Sequence, residues 1–266
     1  MASHFLAVTP HATPTRELLQ AAARRRGLAV EELSVRDGAA SLRGRTGGHY
    51  YGGPAFAARV AGDLGVALLE PADSWLTDLP RAVTGRAITA ATLAEARALA
   101  APAFVKPPAD KSFPAAVYAD GGALPDDPAL PPGTPVQIGE VVTWAAEFRL
   151  FVLDGEVRTG SQYASYGRLD ARPLAGHRHE AGALDFAARL LADHGESLPS
   201  GVVLDIGLIG GRWAVVEANM AWFSSCYAAD PDAALDVVLR SAGPAARLGE
   251  RDRERDRAFR RRTPAA

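Results

Sequence analysis

The fold is decided by GVVLDIGLIGGRWAVVEANMAW, residues 201–222. Two apolar runs flank Gly210-Gly211, a pattern that predicts a β-hairpin. Even positions are Val202, Leu204, Ile206, Leu208, Ala214, Val216 and Ala218, all apolar. Odd positions carry Asp205, Glu217 and Asn219, with Val203, Gly207, Trp213 and Val215 between them. Side chains alternate across a strand, so one face is core and the other gathers two carboxylates and an amide. The turn then decides whether these groups meet. A two-residue turn pairs 205 with 216 and throws Asp205 and Glu217 onto opposite faces. One extra residue pairs 205 with 217, so a bulged turn at Gly210–Arg212 is expected. Hard oxygen donors without nearby His or Cys suit Mg²⁺ held together with phosphate oxygens. A sheet whose polar face simply meets water is an equal reading of the hairpin alone, although Val202–Ile209 is very apolar for that.

Working outward, WAAEFRLFVLDGEV places Glu147 and Arg149 on one face of a strand that turns at Asp154-Gly155. That turn is expected to set them beside Gly160 and Gln162. They form either a salt bridge or a pair aimed at a nucleotide and its transferring phosphate. Further upstream, FVKPPADKSF ends a strand at Lys106 and puts Lys111 in the following loop, with Arg86 ahead of a helix capped by Thr92 and Glu95. Lysines at such a junction can meet a polyphosphate as point charges, and each alone reads equally well as an ordinary surface residue.

The remaining elements alternate. Short strands are expected at Phe5–Val8, Leu28–Ser34 and Val66–Leu69, with helices from Pro14 to Arg26 and Pro54 to Leu64. Val136–Val142 reads as a strand, and Ala183–His194 and Pro231–Ser241 as helices. Residues 120–135, crowded with proline, aspartate and glycine, read as an exposed loop, and the RDRERDRAFRRR tail as a solvated helix or frayed end. This predicts an α/β protein with α+β lobes: an N-terminal α/β domain over 1–80, a main domain over 81–245 and a charged tail over 246–266.

The formal net charge of −2 supplies no global positive field for nucleic acid or an anionic membrane surface. A single cysteine, Cys226, excludes an intramolecular disulfide framework and fits a reducing compartment. The N-terminal apolar stretch is short and lacks a basic flank, so no signal peptide is expected, and no run of 18 apolar residues exists to span a bilayer. A cytoplasmic location is the expectation. There is no Walker loop, dinucleotide fingerprint or nucleophile elbow.

Taken in order, the Lys-bearing strand and loop, the apolar hinge strand, the EFR strand, and Asp followed twelve residues later by Glu-x-Asn resemble the ATP-grasp superfamily. More narrowly, the chain resembles a compact stand-alone bacterial and phage clade that carries one arginine and two lysines at the phosphates. The resemblance covers roughly residues 80–230, and the first lobe resembles the small domain that usually precedes them. It implies an ATP-grasp fold in which two lobes hold ATP between them. It implies Arg86, Lys106 and Lys111 on the phosphates, and Ile138, Glu140, Val141 and Val142 at the adenine. It further implies Glu147 facing the nucleotide, Arg149 and Lys111 in catalysis, and Asp205, Glu217 and Asn219 on Mg²⁺. One departure stands out: PPADKSFPA has no glycine where many such enzymes have a glycine-rich phosphate loop.

The activity implied is ATP-dependent ligation of a small-molecule or peptide carboxylate to an amine (or a thiol) through an acyl phosphate, releasing ADP and phosphate. A phosphotransferase, or a nucleotide-binding module without turnover, is the alternative. Ser161, Tyr163, Ser165, Tyr166 and Arg168, or Arg43, Arg45, His49, Tyr50 and Tyr51, could line a substrate pocket, and each set reads at least as well as ordinary structure.

Overall fold

The computed structural model describes residues 4–108 and 112–262. Lys111 lies outside the described residues. The first lobe is a parallel sheet of β1 (Phe5–Val8), β2 (Ala29–Glu32) and β3 (Gly48–Tyr51), with β1 central. Helix α1 (Pro14–Arg25) starts on the Thr13 hydroxyl, which accepts from the Arg16 amide at 3.1 Å, and has proline in its first turn. Helix α2 (Pro54–Leu64) ends at Gly65 in the left-handed conformation, and β4 (Val66–Leu68) follows. Two short helices, α3 (Trp75–Asp78) and α4 (Arg81–Thr84), lead out of this lobe.

The second lobe holds β5 (Ile88–Thr92), α5 (Leu93–Arg97), β6 (Ala103–Lys106), β7 (Ala116–Tyr118) and β8 (Pro135–Gly139), an antiparallel sheet in the order β5-β8-β6-β7. The Thr92–Glu95 capping box is present as expected. The hinge strand stops at Gly139, so Val141 and Val142 lie in the connection that follows rather than in the strand. Residues 120–135 are not simply an exposed loop. Leu124 and Leu130 are buried with Leu93, Val105 and Phe113, because the small sheet has too little core of its own to leave apolar side chains outside.

The third lobe is a five-stranded antiparallel sheet in the order β11-β10-β9-β12-β13. Its parts are β9 (Ala146–Leu153), β10 (Glu156–Ser165), β11 (Arg168–Pro173), α6 (Glu180–His194), β12 (Gly201–Ile209) and β13 (Arg212–Asn219). Both faces of its central strands are covered, which accounts for the apolar run at 202–209. Phe148, Leu150, Leu204 and Ile206 pack against Ala183, Ala187 and Leu190 of α6. On the opposite face, Phe151 and Val203 join Leu6, Val8 and Leu19 of the first lobe.

The chain then returns. Helix α7 (Pro231–Ser241) packs in that same core, and β14 (Ala242–Pro244) runs antiparallel to β4. Helix α8 (Glu250–Arg262) is not the freely solvated element its sequence suggests. Asp252 is buried and accepts from the Ser200 amide at 2.9 Å and hydroxyl at 2.5 Å, and Asp256 accepts from the Leu68 amide at 3.2 Å. Such buried acceptors anchor the helix by satisfying main-chain donors that would otherwise be stranded. Among the described residues, no helix is long and apolar enough to cross a membrane.

Candidate active site

The site lies on the face of the third sheet that looks away from α6, beyond the Phe151–Val203 core. Strand pairing sets its columns: Asp205 sits opposite Arg149 on β9 and opposite Glu217 on β13, while Gly207 sits opposite Glu147. The Asp205–Glu217 pairing agrees with the sequence reading, but its cause does not. The turn is a plain two-residue one, with Gly210 at φ 54° and Gly211 at φ 77°, and Ile209 pairs with Arg212. The extra residue is Val216, a bulge inside β13, between Ile206↔Val215 and Asp205↔Glu217. Trp213 and Val215 therefore face α6, and only past the bulge do Glu217 and Asn219 reach the other face.

Arg86 holds that bulge. Its Nη1 donates to the Val215 carbonyl at 2.7 Å and to the Thr84 carbonyl at 3.0 Å, and its Nη2 donates to the Val216 carbonyl at 3.0 Å. A bulge leaves main-chain acceptors without a ladder partner, and a planar guanidinium serves two at once. Burial pulls the Arg86 pKa down to about 10, against the pull of Glu217 and Glu147. Its guanidinium also lies 5.0 Å from the centre of the Trp144 ring. That ring covers Gly207, where an added Cβ would come within 2.5 Å of it, so this strand position requires glycine.

Asp205 is buried and takes a bidentate fork from Arg149, Nε to Oδ1 at 2.9 Å and Nη2 to Oδ2 at 2.7 Å. Asn219 Nδ2 donates to Glu217 Oε1 at 2.9 Å and reaches Asp205 Oδ2 at 3.3 Å, so oxygens of both carboxylates converge on one point. Lys106, at the end of β6 in the other lobe, pairs with Glu217 Oε2. Burial alone would raise Glu217, but the Lys106 ammonium and the Asn219 amide hold it down at about 2. Burial lifts Asp205 despite the guanidinium beside it. Burial also opposes the charge of Arg149, and Asp205 outweighs that and raises it. Glu147 is raised, first by burial, and accepts from the Tyr163 hydroxyl at 2.9 Å.

Two tyrosines wall the cluster. Tyr163 and Tyr227 stack with ring centres 5.2 Å apart, and the Arg149 guanidinium lies 5.6 and 5.3 Å from them respectively. Tyr227 sits at φ 50°, a left-handed conformation rare outside glycine, which marks a position imposed by its surroundings. Neither Tyr227 nor Trp144 is legible from the sequence, because parity and motif spacing say nothing about a hinge or a connecting segment. Tyr163 carried a weak signal in its polar, aromatic stretch.

The structure thus brings together Arg86, Lys106, Glu147, Arg149, Asp205, Glu217 and Asn219. The expected adenine residues lie apart from this cluster. Ile138 is in β8, Val141 is exposed, and Glu140 accepts from Arg81 at 2.9 Å and from the Ala87 amide at 2.8 Å. The first-lobe candidates are spent elsewhere: Arg43 pairs with Asp63, Arg45 with Glu31, and His49, Tyr50 and Tyr51 are buried. Tyr166 is exposed at a hairpin tip.

Among the described residues, no three His, Cys, Asp or Glu side chains group as a metal cage. Two convergent carboxylates and an amide instead suit a hard cation that shares its shell with phosphate oxygens. A small antiparallel sheet facing a larger one, with lysine on the first and acids on the second, defines a two-lobed phosphoryl-transfer architecture. The chain belongs to the ATP-grasp domains, within family 2 of the clade known for one arginine and two lysines, whose profile matches residues 83–237.

Solved structures agree on the fold. A RimK-domain ATP-grasp protein from Sphaerobacter thermophilus matches with TM-score 0.56 at 18% identity, over 88% of this chain and 99% of that one. D-alanine–D-alanine ligase from Bacillus anthracis complexed with ATP matches with TM-score 0.52 at 12% identity, over 91% and 97%. No curated protein matches the chain.

Proposed function

We propose that the protein is an ATP-dependent ligase that activates a carboxylate as an acyl phosphate and passes the acyl group to an amine, releasing ADP and phosphate. The observation that supports this best is the co-facial set of Asp205, Glu217 and Asn219, with Arg149 forked onto Asp205 and Lys106 reaching it from the facing lobe. Free carboxylates resist amines at neutral pH because oxide is a poor leaving group. In the first step a substrate carboxylate oxygen bonds to the γ-phosphorus of ATP, the bond from that phosphorus to the bridging oxygen breaks, and ADP leaves with the electron pair. In the second the amine nitrogen bonds to the acyl carbon, the bond to the phosphate oxygen breaks, and the amine gives up a proton.

Asp205, Glu217 and Asn219 are the residues that would hold Mg²⁺, which neutralises phosphate charge during transfer. Lys106 releases its own carboxylate partner to meet the polyphosphate, and Lys111 is proposed for the same role. Arg149, fixed by Asp205 and flanked by two tyrosines, stands where charge builds on the phosphoryl group and needs no reorganisation to meet it. Trp144, beside Arg86 at the hinge, offers a flat face to the base, with Ile138, Glu140, Val141 and Val142 along the hinge. Lobes closing on the cleft keep water from the acyl phosphate.

Thermal stability with and without ATP and Mg²⁺ tests the reading. Ligand at 100 times its dissociation constant adds about 2.7 kcal/mol, and Glu217→Ala should lose that gain. A wild-type protein indifferent to MgATP, or one forming AMP and pyrophosphate, would sink it. Transfer to a carboxylate without any need for an amine would favour a phosphotransferase.

A further inference from the structure

Between the start of α2 and the segment that follows β13 is a cavity of about 500 Å³, lined by Ala55, Arg149, Asn219, Met220, Phe223 and Tyr227 among others. We infer that it is the pocket of the carboxylate substrate, and that it takes a small monocarboxylic acid with an uncharged, apolar body, bound head-first against Arg149. The inference rests on the reading of the chain as a carboxylate-activating enzyme, and adds the substrate class.

Its place carries the first part. The cavity shares Arg149, Glu217 and Asn219 with the acidic cluster, so an acid lodged there has its oxygens at the face where a γ-phosphate would be presented. Arg149 supplies the counter-charge. Its Nε and Nη2 are committed to Asp205, and among the described residues nothing accepts from Nη1. The side chain is only 12% exposed, so the free end of the fork opens into the cavity rather than into bulk water. A carboxylate seated there would complete a guanidinium already oriented by a buried acid. The start of α2 adds to this: Gly53 caps the helix without a side chain, and the first-turn amides reach the same cavity wall at Pro54 and Ala55.

The lining chemistry carries the second part. Phe223 is 38% exposed, an unusual state for a large aromatic, and its ring lies 3.6 Å from where a Cβ on Gly53 would stand. With Met220 and Pro54 it forms an apolar wall opposite Arg149. The one acid in the lining, Glu217, is held by Lys106, and the one cation is Arg149. The cavity therefore offers no counter-charge for a second carboxylate or for an ammonium on the substrate's body, and burying either unpaired is costly. A volume of about 500 Å³ lies in the lower half of the range of ligand sites, enough for a body of amino-acid to dipeptide size.

The test uses the full chain with MgATP and hydroxylamine as the amine, reading hydroxamate and ADP. Aromatic and branched aliphatic monocarboxylic acids are compared with dicarboxylic acids, with basic amino acids and with peptides. Hydroxamate should form from the apolar monocarboxylic acids. Phe223→Ala should raise the KM for the acid about tenfold while the KM for ATP and the MgATP thermal shift stay at wild-type values. Ala55→Asp, which sets a like charge beside the carboxylate, should abolish hydroxamate and leave that shift intact. Turnover confined to dicarboxylic acids, basic amino acids or peptides would overturn the inference, as would indifference of the acid's KM to both variants. Loss of the MgATP shift in the wild type would instead overturn the carboxylate-activation reading itself, and this inference with it.

Discussion

The two hairpins of the large sheet start alike and end differently. Each has a two-residue turn with positive φ at both positions, Asp154-Gly155 (52° and 84°) and Gly210-Gly211 (54° and 77°). Each then departs from the register its turn sets. In β10 the ladder slips at Arg158 and again at Tyr163, so Arg149 faces Ser161 and Glu147 faces Ala164, not the Gly160 and Gln162 expected from the turn. In β13 it slips once, at Val216. The slip in β10 swings Tyr163 onto Glu147 and the flank of Arg149. The slip in β13 turns two acidic-face residues out of what would otherwise be the α6 core. A turn fixes register at the tip of a hairpin, whereas a bulge resets it at the site, and the bulge in β13 is held by a group from elsewhere in the fold.

The comparison can be broken most sharply at the pair the hairpins share through β9. Asp205→Ala leaves Arg149 charged and unmatched in a buried setting, and should cost about 3–5 kcal/mol in urea unfolding. Adding Arg149→Met should recover most of that loss, and failure to recover would mean that Asp205 supports the sheet by some route other than the pair. Next comes the clamp on β13. Arg86→Ala strands the Val215 and Val216 carbonyls, at about 1–3 kcal/mol for each buried group left unpaired, and should abolish the Mg²⁺-dependent part of the ATP thermal shift. A variant that melts lower but keeps its Mg²⁺ response would separate the bulge from the arginine.

A titration outside both hairpins provides a control. Burial first of all holds His49 down at about 4, against an ordinary 6.5. The unfolded chain therefore takes up the proton first, so stability is fully present above about 6.5 and falls as the pH drops towards 4. His49→Gln should flatten that slope while leaving the MgATP shift at pH 8 unaltered. The smallest effect is expected in β10: Tyr163→Phe removes one hydrogen bond to Glu147, about 1 kcal/mol, with an acid-side limb of turnover that moves to higher pH as Glu147 loses its donor. No movement of that limb would mean that Tyr163 acts only through its ring.

Residue order alone specified the alternation of elements, the caps at Thr13 and Thr92, both glycine-containing turns, and the lining-up of Lys106, Arg149, Asp205, Glu217 and Asn219 as one chemistry. These are local or periodic signals: side-chain alternation along a strand, a hydroxyl before a helix, glycine where φ is positive. Packing between distant segments set the rest. Whether Glu217 meets Asp205 depends on one bulged residue in an unbroken apolar run, and VVE reads the same with or without a bulge. Arg86, 130 residues upstream of Val216 and folded against it, satisfies the carbonyls that make the bulge tenable. Trp144 on Gly207, Tyr227 beside Arg149, and the buried acids of α8 are likewise contacts between distant segments. Their energy comes from desolvation and from pairing of groups that lie far apart along the chain, which is why no local pattern announces them.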